Sequence, residues 1–139
     1  MAGSVLGAEN ASPALKAKPG EMIDVPVLVE KAENLAGVKL VIAYDKELLI
    51  FKEGNASKIA RSLMCVINDK NPGRLIIVMA GAKGISGKDL PLLTLTFEIK
   101  KDLPGAHTLR LDLLENQLMS DQLKELKSKV IIKPLDIVP

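Results

Sequence analysis

Few residues of this 139-residue chain could do covalent chemistry, and they do not cluster. There is one cysteine, Cys65, and one histidine, His107. Together they could in principle serve as nucleophile and base. Cys65, however, sits between Met64 and Val66, a setting for an inert buried thiol rather than a reactive one. His107 follows the Pro104-Gly105 turn, and no Cys or His cluster exists to build a metal site with it. Gly81-Ala82-Lys83-Gly84 lacks the Walker spacing and the Ser or Thr of a phosphate loop. Carboxylates are plentiful but unpaired, and no acidic loop has calcium-ligand spacing. The enzyme reading is therefore rejected, and recognition through a surface is the chemistry to look for.

The clue to such a surface is a strand with too little polarity. From Leu35 to Phe51 the chain reads LAGVKLVIAYDKELLIF. Asn34 and Ala36-Gly37 read as a turn, and the β-branched run Val38 to Ala43 reads as a strand. Val38, Leu40, Ile42 and Tyr44 share one side, a good core face. Lys39, Val41, Ala43 and Asp45 share the other, which is half apolar where a water-facing strand should be polar. Arg74 to Ala80 repeats the anomaly, with Leu75, Ile77 and Met79 on one side and Ile76, Val78 and Ala80 on the other. If the two strands are neighbours, their outward residues form a contiguous apolar patch, which marks a partner surface. The competing reading is internal cover by the loop 52–63, by the segment 115–129 or by a terminal extension.

The elements that would position these strands are legible from turns. Lys18-Pro19-Gly20-Glu21 is a Pro-Gly turn after a short first strand at 14–17. Met22 to Glu30 alternates, with Ile23, Val25, Val27 and Val29 on one side, and Pro26 marks an edge strand or a bulge. Met64 to Asn68 is a short strand, and Asp69-Lys70-Asn71-Pro72-Gly73 is the hairpin connection to Arg74–Ala80. Leu90 to Lys100 and Thr108 to Leu114 alternate again. Residues 115–129 read as a loop with a short helix, because Met119, Leu123 and Leu126 sit at helical spacing. Val130 to Lys133 is the last strand. Eight or nine short strands with a turn about every ten residues give an all-β sandwich with little or no helix. The domain spans 13–134, with a disordered flank at 1–12 and a tail at 135–139. The start of the chain lacks the basic and apolar regions of a signal peptide and reads as the flank of a domain within a longer protein.

Composition narrows the partners. A net charge of +2 is too small to point to nucleic acid or a membrane surface, and no apolar run approaches a membrane span. Aromatic residues make up 2%, namely Tyr44, Phe51 and Phe97. Tyr44 and Phe97 fall on inward positions and Phe51 belongs to a core strand, so no ring is left for the stacking platform of a sugar-binding module. Asn10-Ala11-Ser12 and Asn55-Ala56-Ser57 match the glycosylation triplet, which is frequent by chance.

The order of features resembles the cohesin domain over nearly the whole chain, from about Leu15 to Lys133. It runs Lys18-Pro19-Gly20-Glu21, Val25-Pro26-Val27, Asn34-Leu35-Ala36-Gly37, Tyr44-Asp45, Leu48-Leu49 with Phe51, Gly73-Arg74, Gly84-Ile85-Ser86-Gly87, Leu93-Thr94-Leu95-Thr96-Phe97 and Pro104-Gly105. The resemblance implies a nine-stranded jelly-roll β-sandwich. It also implies a non-catalytic module that binds dockerin modules, with calcium carried by the dockerin and no cofactor in this chain. Such modules assemble extracellular or cell-surface complexes of the cellulosome type, which serve polysaccharide catabolism. The family's docking sheet maps to Ala43, Asp45, Met79 and Gly81 here. Two positions depart from the family pattern: Ala43 stands where a polar residue is common, and Ile50 where an acidic one is common.

The expected partner face comprises Val41, Ala43, Leu75, Ile77 and Met79 as apolar contacts and Asp45 at the rim. Lys39, Val66, Asn68 and Gly81 complete it. The alternatives are a carbohydrate-binding sandwich and a domain that dimerises through the same face.

Overall fold

The computed structural model describes residues 14–139. The expected flank 1–12 and the Asn10 triplet lie outside the described residues. Every regular element described is a strand: β1 Leu15–Ala17, β2 Met22–Ala43, β3 Leu49–Ala56, β4 Met64–Asn68, β5 Arg74–Ile99, β6 His107–Leu109, β7 Asp112–Ser120, β8 Val130–Ile132 and β9 Leu135–Ile137. No helix among the described residues is long and apolar enough to cross a membrane.

Two long strands organise the sandwich. β2 and β5 form one antiparallel ladder from Met22↔Glu98 to Ala43↔Arg74. Its first half carries β8 beside β2 and β3 beside β5. Its second half carries β7 beside β2 and β4 beside β5. One layer therefore reads β8-β2-β5-β3 and the other β7-β2-β5-β4. A third, small sheet places β9 between β1, to which it is parallel, and β6.

The corner between the halves is where the inward parity changes. In the first half the residues of β2 in the core are Ile23, Val25, Val27 and Val29; in the second, from Val38 on, they are Val38, Leu40 and Ile42. Alternation alone would turn one of these sets outward. Register shifts between Ala32 and Leu35, and between Leu35 and Gly37, absorb the mismatch. Asn34 occupies the corner with φ +52. Its N–H donates to Ser86 Oγ at 2.9 Å, and its carbonyl accepts the Asp121 N–H at 2.8 Å. Gly84 lies directly against this backbone: a Cβ there would collide with the Asn34 carbonyl group.

One connected core lies between the layers. Val25, Val27, Val29, Leu95, Phe97 and Ile99 from one meet Leu40, Ile42, Leu75, Ile77 and Met79 from the other. Burying each such side chain contributes about 1.5–3 kcal/mol. The Pro-Gly turns hold as expected. Gly20 and Gly73 take φ +86 and +90 at the third position of turns closed by Glu21 N–H to Lys18 O and Arg74 N–H to Asn71 O. Pro26 is followed by a bulge at Val27/Leu28, and β8 joins β2 only from Val27 onward.

Two expectations are corrected. The segment 135–139 is not a tail, because Leu135 and Ile137 are buried and β9 pairs on both edges. The segment 115–129 holds no helix. β7 runs to Ser120 and turns back, with a Met119↔Glu125 bridge and the Leu126 N–H donating to Leu118 O at 2.8 Å. Leu118 and Ser120 are buried with a period of two, whereas Leu123 is open to solvent.

Candidate partner-binding face

The outer surface of the β7-β2-β5-β4 layer follows from its registers. Residues directly opposite in antiparallel strands share a face. The outward rows, from β4 to β7, are Met64–Ala80–Gly37–Met119, then Val66–Val78–Lys39–Gln117, then Asn68–Ile76–Val41–Glu115. A last row sets Ala43 between Arg74 and Asp112. Met64, Val66 and Val78 are 73%, 56% and 41% exposed. Ile76 is half-buried, and Val41 retains only 4% exposure. Val41 nevertheless stands apart from the interior cluster, flanked by Ile76 and Glu115 on the outer side. The result is an apolar stripe running diagonally from Met64 to Val41.

Polar groups border the stripe. On the β7 side Lys39 Nζ meets Glu115 Oε2 at 3.1 Å. Both side chains are nearly half exposed, so the pair adds little stability, but it neutralises two charges beside Val41. A bulge opposite Val41/Ile42 makes Leu114 an extra, exposed residue of β7. Asn68 borders the β4 side and turns its side-chain carbonyl oxygen to the Lys70 N–H at 3.0 Å.

The expected site residues divide. Lys39, Val41, Ala43, Val66 and Asn68 lie on the outer face. Leu75, Ile77 and Met79 do not: each is 0% exposed and belongs to the core. They pair with Ile42, Leu40 and Val38, the inward set of β2, so their side chains must point inward as well. The outward set of β5 is Arg74, Ile76, Val78 and Ala80. Gly81 is also corrected, because Ser62 and Leu63 pack over it and would meet a Cβ there at 2.9 and 2.8 Å. Asp45 lies in the turn beyond β2, where Oδ1 accepts the Glu47 N–H at 2.9 Å. Met64, Ile76, Val78 and Ala80 are additions to the face. The signal that could have found them is bulk: Leu, Ile and Met outweigh Ile, Val and Ala, and the bulkier set fills the interior.

The other chemistry-bearing residues stay apart. Cys65 points inward from β4 and lines an open cleft of about 430 Å³ between β3 and β4 that contains no histidine. Burial pushes its thiol pKa up, away from the reactive thiolate. His107 is on β6, with Nε2 3.0 Å from Pro104 O. Among the described residues no cluster of His, Cys, Asp or Glu is placed to hold a metal. Tyr44 and Phe51 pack edge-on against buried Phe97, with centroids 5.2 and 5.6 Å apart, so the rings serve the core rather than a sugar platform.

The family model for the cohesin domain matches residues 12–131. A search of curated proteins returns no match. Among solved structures, a non-cellulosomal cohesin from the hyperthermophilic archaeon Archaeoglobus fulgidus aligns with TM-score 0.75 and 21% identity, covering 91% of this chain and 87% of that one. The sixth cohesin of Acetivibrio cellulolyticus scaffoldin B, solved in complex with a dockerin, aligns with TM-score 0.77 and 18% identity, covering 89% and 94%. A type I cohesin–dockerin complex from Clostridium thermocellum gives 0.72 and 21%, covering 90% and 94%. At these identities the structures establish a shared fold, and with the family match over most of the chain they lead to one assignment: the chain belongs to the cohesin domain family.

Proposed function

We propose that this domain is a non-catalytic docking module whose β7-β2-β5-β4 face receives a dockerin-type partner. The observation that carries the reading is the contiguous apolar stripe Met64, Val66, Val78, Ile76 and Val41 on the outer side of this layer, with Met64, Val66 and Val78 exposed. A stable complex buries about 800 Å² on each partner, an area that a four-stranded face can supply. Val78 and Ile76 sit near the middle of the stripe, where water is most completely excluded and most of the binding energy is concentrated. Lys39, Glu115, Asn68, Arg74 and Asp45 form its polar rim. The partner contributes the calcium, and the complex belongs outside the cell or on its surface, with this domain as one part of a larger protein.

The test is titration against a panel of calcium-loaded dockerin modules, repeated after chelation. Binding by at least one member is expected, and chelation should abolish it while leaving the melting temperature of this domain unchanged. Failure to bind every member, or binding that survives chelation undiminished, refutes the proposal.

A further inference from the structure

β3 closes its layer as an edge strand, paired with β5 on one side and with no described strand on the other. The Leu48 carbonyl accepts the Lys100 N–H and the Ser57 N–H donates to Leu92 O, both at 2.9 Å. These two bonds fix the direction of the backbone groups between them, because alternate residues of an antiparallel strand turn to the same neighbour. Counted from Leu48, Ile50 turns to β5; counted back from Ser57, so do Asn55 and Glu53. The register shift between Phe51 and Glu53 absorbs the odd residue, Lys52, as a bulge. The backbone groups of Phe51, Gly54 and Ala56 therefore point to the free edge.

A bulge and a lysine are ordinary means of keeping an edge from pairing. They do not have that effect against a second copy of the same strand. Let two β3 strands run antiparallel about a two-fold axis between Lys52 and Glu53. Phe51 then lies opposite the second copy's Gly54, and Leu49 opposite its Ala56. Both strands take the same three-residue step from one outward group to the next, so the outward N–H and C=O groups of Phe51 and Gly54 meet.

The side chains match in the same register. Phe51 and Ala56 pack against the core from the inner side, and Gly54 lies against Ile67 and Leu95. Inner rows thus set a large residue against a small one. On the outer side Ile50, Lys52, Glu53 and Asn55 are exposed. Ile50 meets Asn55 and Lys52 meets Glu53, each twice by symmetry. In the single domain Lys52 has a long contact with Glu98, 3.7 Å, and Glu53 has no cationic partner among the described residues. A parallel pairing would instead set lysine against lysine and glutamate against glutamate, which is destabilising.

We propose that the free edge of β3 is a second interaction surface and that its occupant is a second copy of this chain. Two domains join β3 to β3 in one continuous sheet, with two Lys52–Glu53 ion pairs at the axis. The proposal is independent of the docking reading, since β3 is not a strand of the β7-β2-β5-β4 layer. One strand from each copy makes a contact smaller than a standard interface, so the dimer is weak and forms where copies are concentrated.

The experiment is sedimentation of the full chain over rising concentration, for the unmodified protein, Lys52→Glu, Glu53→Lys, the double reversal and Val78→Asp. The unmodified chain should show a monomer–dimer equilibrium that weakens as salt is added. Each single reversal sets two like-charge pairs at the axis and should weaken the dimer about tenfold. The double reversal restores opposite charges and should restore the dimer, and Val78→Asp should leave it intact. All the variants should keep the Tm of the unmodified chain in dilute solution, because the altered side chains are exposed there. A chain that stays monomeric to its solubility limit overturns the proposal. So do single reversals without effect, a double reversal that fails to rescue, or a dimer lost in Val78→Asp.

Discussion

Val78 and Met79 are adjacent in sequence and lie on opposite sides of one sheet, so they separate binding from folding. Val78 is 41% exposed and pairs across the face with Val66 and Lys39. Covering that remainder on docking is worth about 1 kcal/mol, taking 1.5–3 kcal/mol for a whole side chain. Aspartate there forfeits this gain and places an unpaired carboxylate in a drying interface, for a total near 2–4 kcal/mol. That corresponds to roughly 30- to 1,000-fold weaker binding in a calorimetric titration. Exposed in the free domain, the same aspartate should leave Tm nearly unchanged. Met79 is 0% exposed and packs in the core. Met79→Ala should cost about 2–5 kcal/mol of stability and lower Tm by on the order of 10 °C, while binding at low temperature stays close to that of the unmodified domain. Normal binding by Val78→Asp, or a thermally neutral Met79→Ala that loses binding, would refute the parity assignment on which the docking face rests.

Two further outcomes probe the frame. Gly84→Ala drives a methyl group into the Asn34 backbone at the corner and should cost about 1–3 kcal/mol, read as a lower urea midpoint with an unchanged slope; an unaltered midpoint would show that the corner can yield. The Cys65 pKa is raised by burial, so the unfolded chain ionises first as pH climbs. The stability contributed by the neutral thiol is complete below the unfolded value and falls above about pH 9, a decline that Cys65→Ala should lack. Parallel pH profiles for the two proteins would exclude the effect.

The strands of this domain were largely legible because turn chemistry and alternation agree. The Pro-Gly pairs at 19–20, 72–73 and 104–105 punctuate the chain, and β2 alternates cleanly over Ile23 to Val29. The layer proposed for docking was legible as an anomaly, two strands too apolar for water. Which side of Arg74–Ala80 faced outward was not, because Leu75-Ile77-Met79 and Ile76-Val78-Ala80 are both apolar and periodicity has nothing to distinguish. Pairing with β2 decides it, and pairing is a long-range fact. The hairpin after β7 misled for a related reason: Met119, Leu123 and Leu126 imitate a helical stripe, yet Leu123 is apolar without being buried. A sequence pattern cannot separate an apolar residue that serves the core from one left exposed at a turn.

The pairing of β1 with β9 has a mechanical consequence. The strands run parallel, with the Leu15 N–H on Pro134 O and the Val138 N–H on Ala17 O, both at 2.9 Å. Tension applied through the backbone before Leu15 and after Ile137 would pull the two strands along their length in opposite directions. The bonds between them would then share the load in shear instead of opening one at a time. A stretching force on the described domain would thus meet a small clamp whose strands are not those of the proposed docking face.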